Sequence, residues 1–290
     1  MVLMKVLLIG SKGMLGECFA RHFRKVGIAF ESPSKEMLDV SHNSALQSFV
    51  HNQSFTHIIN CSGYTNVEMA EIEKERAELL NDKSMEFLGN VSQQFSIKII
   101  HFSTDYVFDG KKTAPYLETD TTNPLNIYGK SKESGEKRLL KIAPNSLIIR
   151  TSWLFGLFKN HFIAKILHLM ENKKEVQVVA DQLGRPTFTK DLVEATMKLI
   201  DKSGIYHFAN AGQTSWHGFA EGILKKAQKL GLPILCEKVE PVSSQAFETR
   251  AARPKYSVLS TEKYEKETLS SPRTWTESLE EYFESLYVNC

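Results

Sequence analysis

Residues 4–9 form an apolar run, interrupted only by Lys5, that stops at Gly10. Apolar side chains on both faces are what a central parallel strand needs, so the pattern predicts one there. From Glu17 to Val26 the apolar positions fall at helical spacing instead. The same alternation recurs along the chain. Strands are expected at Ile28–Glu31, at His57–Gly63 (read as a fourth strand ending in a small-residue loop), at Ile97–Phe102, Leu147–Trp153 and Gly204–Ala209. Helical stretches are expected over Glu71–Phe95, from Tyr128 to about Ile142, and over Phe158–Met170, Asp191–Ile200 and Trp216–Leu230. A last helix places Trp275, Leu279, Tyr282, Phe283 and Leu286 on one face. The charge at the start of Glu71–Phe95 reads as a solvated face, and the Met and aromatic stripes read as core.

Alternation of this kind predicts an α/β fold: a doubly wound, Rossmann-like parallel sheet. After Trp153 the pattern loosens, yet no Gly/Ser linker, repeat or low-complexity tract marks a boundary. The expected organisation is a dinucleotide domain over 1–152, to which 176–210 returns. A smaller, interwoven substrate lobe is expected from 153–175 and 211–290.

Composition narrows the partners. The 290 residues are 42% hydrophobic, enough for a sizeable core, and 36 Lys and Arg against 34 acids leave a net charge of +2. That balance gives no reason to expect nucleic acid or an anionic membrane. No apolar run approaches the roughly 18 residues of a membrane span. The apolar start lacks a basic leader and a cleavage site, so a cytoplasmic protein is expected. Cys18, Cys61, Cys236 and Cys290 show no C-x-x-C spacing and read as reduced thiols. The His residues lack metal-ligand spacing, so no built-in zinc site is expected.

Three features carry chemistry. Gly10-Ser-Lys12-Gly13-Met14-Leu15-Gly16 stands between the first strand and first helix, where glycines let backbone approach a ligand and helix N–H groups face a pyrophosphate. It is a shifted form of the usual G-x-G-x-x-G. An acid selecting NAD is expected about 20 residues further on. Glu31 stands there, but Ser34-Lys35 at the tip offers a hydroxyl and a cation that suit a 2′-phosphate, which favours NADPH and leaves NADH open. Leu38-Asp39-Val40 is expected beneath the adenine. Small residues after His57, through Cys61 to Gly63, would let the ribose and nicotinamide pass. Thr104 ends the Ile97 strand on the side where open parallel sheets hold ligands. Tyr128 and Lys132 lie one helical turn apart. A phenol titrates at about 10, and a nearby ammonium would pull that down, making Tyr128 a general acid tuned by Lys132. Gly135, near the middle of that helix, suggests close packing, and Trp153 could flank a sugar.

Longer strings go with these features: Asn60-Cys-Ser-Gly-Tyr-Thr-Asn-Val67, Ser103-Thr-Asp-Tyr-Val-Phe-Asp-Gly110, Pro124-Leu-Asn-Ile-Tyr-Gly-Lys-Ser-Lys132, Arg150-Thr-Ser-Trp153, Asp181-Gln-x-Gly-Arg-Pro-Thr187 and Ala252-Arg-Pro254. Together they resemble the dTDP-4-dehydrorhamnose reductase family of the extended short-chain dehydrogenase/reductases, over nearly the whole chain. The resemblance implies reduction of the 4-keto group of a dTDP-linked sugar. Tyr128 would give the proton, Lys132 would hold the nicotinamide ribose, and Thr104 would bond the reacting oxygen. Asp105 and Trp153 would sit against the sugar, and Gly63, Tyr64 and Thr65 against the dinucleotide. Arg185 and Arg253 would hold the nucleotide diphosphate. A homodimer and a magnesium ion are left open.

Two positions depart from the family pattern. Val67-Glu68-Met69-Ala70-Glu71 stands where Val-Asp-Lys-Ala-Glu is common, which puts in question the substrate detail near the nicotinamide. Competing readings are a reductase of another nucleotide-linked 4-keto sugar and a non-catalytic NADP-binding subunit like the regulatory subunit of methionine adenosyltransferase. Arg150-Thr-Ser-Trp153 favours a reductase over the latter. A dehydratase would have Glu after Thr104-Asp105, and Tyr106 stands there instead.

Overall fold

The computed structural model describes residues 4–158 and 161–288; Cys290 lies outside them. Six parallel strands form the main sheet, in the order 204–207, 147–151, 98–104, 57–60, 5–9, 29–31. Val6 faces His57 and Ile9 faces Asn60 in register. Asn60 in turn faces His101, and Thr104 faces Thr151. Alternate residues of Lys5–Ile9 feed two cores. Val6 and Leu8 pack with Phe19 and Phe23 of the Met14–Val26 helix. Leu7 and Ile9 pack with Leu46, Leu88 and Leu139 on the opposite side. The apolar run Val6–Ile9 is the consequence of burial on both faces.

The stretch His57–Asn60 is the third strand in chain order, not the fourth. No strand forms between Glu31 and His57. Residues 35–37 turn instead, with the Ser34 carbonyl accepting from the Met37 and Leu38 N–H groups.

Only some of residues 176–210 join the main sheet. Glu175–Val179 pairs with Lys238–Val242 away from the main sheet. Its Val176 and Val178 join a third core with Phe155, Phe188, Phe219 and Phe283. Thr189–Lys198 packs on the first-helix side through Leu192 and Val193, and Gly204–His207 is the sheet's edge strand. The last helix, Trp275–Val288, buries Leu279, Tyr282 and Phe283 in the third core.

Lys74–Phe95 is one continuous helical stretch that widens into a π-turn at Leu79–Lys83. Its charge is not simply solvated. Asp82 is buried and takes Nε and Nη2 of Arg138 at 2.6 and 3.0 Å. Cys18, Cys61 and Cys236 are free thiols.

Candidate active site

The loop after the first strand is shaped by its glycines. Gly10 has φ +76°, and a Cβ there would stand 2.7 Å from the Ser62 nitrogen. Gly16 is as tight, since its Cβ would lie 2.3 Å from the Gly10 carbonyl oxygen. Gly13 caps the helix without a side-chain bond, leaving first-turn N–H groups unclaimed by a cap. Backbone there can meet an anion closely, as a pyrophosphate requires. Leu15 is buried in core, so it can offer only its backbone.

At the tip of the second strand, Glu31 is engaged elsewhere, 2.8 Å from Lys5 Nζ. Lys35 is exposed, 3.7 Å from the Asp39 carboxylate. Asp39 accepts from the Ser41 N–H and hydroxyl, which with Lys35 hold it below the ordinary carboxylate range despite burial. Leu38 and Val40 point into the core beside Leu7. The expected adenine bed therefore reduces, in side chains, to Asp39.

The Tyr128 helix, Ile127–Ile142, starts where Asn126 accepts from the Gly129 N–H at 2.8 Å. The same amide donates to the Ala252 carbonyl at 2.8 Å, so the cap also fastens the 251–256 loop. Glu71 accepts the Ile127 N–H at 2.8 Å. Arg150 and Glu136, both buried, pair through Nε at 2.9 Å and Nη2 at 2.6 Å, fixing the helix to the Leu147 strand.

Tyr128 is partly buried beside Thr104 and Asp105. Burial pushes its phenol up to about 12; a hydrogen bond with Thr104 opposes the rise and Asp105 adds to it. This corrects the expected tuning by Lys132. The ammonium's neighbours lie elsewhere: Lys132 Nζ is 2.6 Å from the Phe102 carbonyl and 3.0 Å from His101 Nε2. Burial draws Lys132 down to about 8, against the pull of Glu136. Helical spacing sets Tyr and Lys one turn apart, but strand Lys98–Thr104 captures the amine.

Asp105 is buried, accepts from the Thr104 hydroxyl at 3.1 Å, and leaves Oδ2 without a partner. Burial pushes its carboxyl up to about 7, against hydrogen bonds from Ser257 and Thr104. Tyr106 packs edge-on to Tyr128, ring centroids 6.0 Å apart. Arg253 reaches the same corner, where it hydrogen-bonds Tyr106.

The loop from Cys61 to Gly63 joins this group to the glycine loop: Gly10 abuts the Cys61 and Ser62 backbone, and a Cβ on Gly63 would stand 3.0 Å from Asn81 Oδ1 and 3.9 Å from Lys132 Nζ. Asn81 was not visible as a site residue. It is buried in the π-turn, accepts from the Tyr64 N–H at 2.8 Å and donates to the Tyr64 carbonyl and Ser131 hydroxyl at 3.0 Å each. Cys61 begins this loop, its N–H on the Ile9 carbonyl, and burial pushes its thiol well up. Thr65 and Lys12 are exposed.

Trp153 and Arg185 form a second group. Trp153 adopts φ +46° and stacks on Trp216, centroids 3.6 Å apart, so Trp216 joins the candidates. The Ser152 hydroxyl donates to the Arg185 carbonyl at 2.6 Å. The guanidinium Nε of Arg185 is buried without a partner, a donor that suits an anion. The cavity of about 350 Å³ beside Glu136 and Arg150 contains none of these residues. Among the described residues, no group of three or more His, Cys, Asp or Glu is arranged to hold a metal, so magnesium gains no support. No helix among them is long and apolar enough to cross a membrane.

A family model described as RmlD substrate binding domain matches residues 4–288. The spore coat polysaccharide biosynthesis protein SpsK of Bacillus subtilis (strain 168) is 37% identical over 288 residues, 99% of this chain and 99% of the relative. A dTDP-4-dehydrorhamnose reductase of Escherichia coli (strain K12) is 36% identical over 272 residues, 90% of this chain and 91% of the relative. The crystal structure of dTDP-4-dehydrorhamnose reductase from Bacillus anthracis in complex with NADP matches at TM-score 0.93 and 33% identity, over 98% of this chain and 100% of that one.

Proposed function

The chain belongs to the family of the RmlD substrate binding domain, that of the dTDP-4-dehydrorhamnose reductases, and from that premise we propose that it reduces the 4-keto group of dTDP-4-dehydro-L-rhamnose with NADPH. The product would be dTDP-L-rhamnose, a sugar donor for surface polysaccharide. The observation that carries the reading is the Thr104–Tyr128 pair at the carboxyl end of the Lys98 strand, with Lys132 beside Gly63 in the Cys61–Gly63 loop that abuts Gly10 of the glycine loop.

Gly10–Gly16, Ser34-Lys35, Asp39 and the loop from Cys61 to Thr65 would hold the dinucleotide, with Lys132 at its ribose. Bound there, the reduced nicotinamide supplies a hydride to C4 of the sugar. Tyr128 gives its proton to the C4 oxygen, and Thr104 bonds that oxygen. A phenol raised by burial is fully protonated at neutral pH, the form a proton donor needs. Asp105 and the stacked Trp153 line the sugar, while Arg185 and Arg253 take the diphosphate. The dinucleotide unit would comprise 1–152 with strand 204–207, and the remaining core around Phe155 and Phe219 the substrate lobe. Action in the cytoplasm, and a homodimer, accompany this reading.

The test is turnover of purified protein with dTDP- and UDP-linked 4-keto sugars, each with NADPH and NADH. The reading expects the dTDP-linked substrate with NADPH to be used best. Preference for another sugar or nucleotide would move the assignment within the reductases. Cofactor binding with no turnover of any substrate would favour a regulatory subunit.

A further inference from the structure

His101 belongs to none of the roles assigned above, yet among the described residues it is the one side chain that hydrogen-bonds the Lys132 amine. Its ring is buried between Lys132 and Asn60, each itself buried. Asn60 Nδ2 lies 3.1 Å from His101 Nδ1. The orientation of that amide is fixed from behind, because Asn60 Oδ1 accepts both the Ser62 N–H at 3.0 Å and the Ser62 hydroxyl at 2.5 Å. Its NH₂ therefore donates to His101. An imidazole that accepts at Nδ1 carries its single proton at Nε2 when neutral. Burial and Lys132 keep the ring neutral by pushing it well down, against a carbonyl contact with Asn60.

An Nε2–H aimed at Nζ from 3.0 Å is a donor facing a donor while Lys132 is an ammonium, and a donor facing an acceptor once Lys132 is an amine. The Phe102 carbonyl accepts an Nζ–H in either state. We propose that His101, locked by Asn60 and Ser62, is a positioning residue that favours the neutral amine of Lys132 and so sets the alkaline limit of the reaction. The role in the reaction rests on the function proposed above; the effect on the lysine does not.

Other charged groups around Lys132 are compensated. Glu136, one turn along the helix, raises it, but its carboxylate is held by Arg150. Asp82 of the π-turn is held by Arg138. Tyr128 and the partly buried Cys61 thiol are both pushed up and neutral.

The test needs three readings on the full-length protein. In the wild type, ¹⁵N shifts of the His101 ring report the tautomer without any mutation; Nε2–H is expected, and Nδ1–H would overturn the inference. The ¹³Cε shift of Lys132 is then titrated in wild type, His101→Gln and Asn60→Asp. Gln offers a carbonyl to the ammonium. The carboxylate introduced by Asn60→Asp would accept Nδ1–H and turn the Nε2 lone pair onto Lys132. Each is expected to move the Lys132 midpoint upward by about one pH unit, a tenfold change in the amine–ammonium ratio. An unmoved midpoint in a folded variant overturns the inference. Finally, the alkaline limb of kcat/KM in His101→Gln should rise with that midpoint. A limb that stays while the lysine moves would sink the role given to Lys132 in reduction, and leave the histidine–lysine coupling standing.

Discussion

Glu68 Oε1 lies 2.6 Å from Arg253 Nη2, and its other oxygen accepts the Arg250 N–H at 2.8 Å. One carboxylate thus holds a loop 182 residues away in sequence. Burial works against its charge, but these two partners win and hold it below the ordinary range. Glu68 is also one of the two positions at which the chain departs from the family string. Arg253 is proposed to meet the substrate diphosphate, so Glu68 competes with it. Glu68→Gln keeps an acceptor for Arg250 and removes the competing charge. A partly exposed pair of this kind is worth at most about 1 kcal/mol. Steady-state kinetics at low salt should show KM for the nucleotide sugar falling two- to about fivefold with kcat unchanged, and the gain should shrink at high salt. A raised KM would mean that the anchor outweighs the competition.

Tyr128→Phe removes the proposed proton donor and keeps the ring that packs against Tyr106. A positioned acid contributes roughly 10²–10⁴ in rate. Single-turnover reduction should slow by that factor, while NADPH binding, read by quenching of its fluorescence, stays within about twofold of wild type. With burial holding the phenol at about 12, no wild-type rate limb between about pH 6 and 9 should disappear in the variant for want of Tyr128 ionisation. Near wild-type turnover would remove Tyr128 from the mechanism.

Asp105 makes the stability of the fold depend on pH. Its carboxyl is raised from 3.8 to about 7 by burial. The native state therefore keeps the proton where the unfolded chain has lost it. Stability falls as pH rises through that window, and above it the full cost stands, on the order of 4 kcal/mol. Asp105→Asn cannot ionise and keeps an acceptor for Thr104. Melting curves should place the variant a few degrees above wild type at pH 8 and level with it at pH 4. Equal gains at both pH values would show that charge is not the reason.

How far the sequence reached depended on whether a contact was local. Val6–Ile9 was legible because two-sided burial writes itself as an unbroken apolar run. Tyr128 and Lys132 were legible as helix neighbours, but the pull of His101 and the Phe102 carbonyl on the amine was not, since those groups come from another strand. The polar turn at residues 35–37 hid that no further strand forms between Glu31 and His57. Asp82 and Arg138 are 56 residues apart, so periodicity could not tell a buried bidentate pair from a solvated face. The stacking of Trp153 on Trp216 likewise joins two segments that no spacing rule connects.

Gly135 faces the π-turn so closely that a Cβ would stand 1.9 Å from the Asn81 carbonyl oxygen. The obstacle is backbone, which cannot swing aside as a side chain would. Overpacking of this kind costs about 1–3 kcal/mol and sometimes more. Relief has to come from the turn, and Asn81 is the residue that holds the Tyr64 backbone. Gly135→Ala should therefore lower Tm by several degrees and also raise KM for NADPH. A Tm loss with an unchanged cofactor KM would separate Asn81 from the dinucleotide site.

Lys35 decides the coenzyme if the tip of the second strand holds a 2′-phosphate. Glu31, which could have held a ribose 2′-hydroxyl instead, is bound to Lys5 at 2.8 Å. Lys35 is loosely held, 3.7 Å from Asp39, and free to turn toward a phosphate. Lys35→Ala removes that cation without touching the glycine loop. Loss of one charged phosphate contact at an exposed site should cost about 1.4 kcal/mol, or tenfold in affinity. KM should rise about tenfold for NADPH and stay flat for NADH. Equal changes for both coenzymes would place the 2′-phosphate away from Lys35 and return the coenzyme question to Lys12 on the glycine loop.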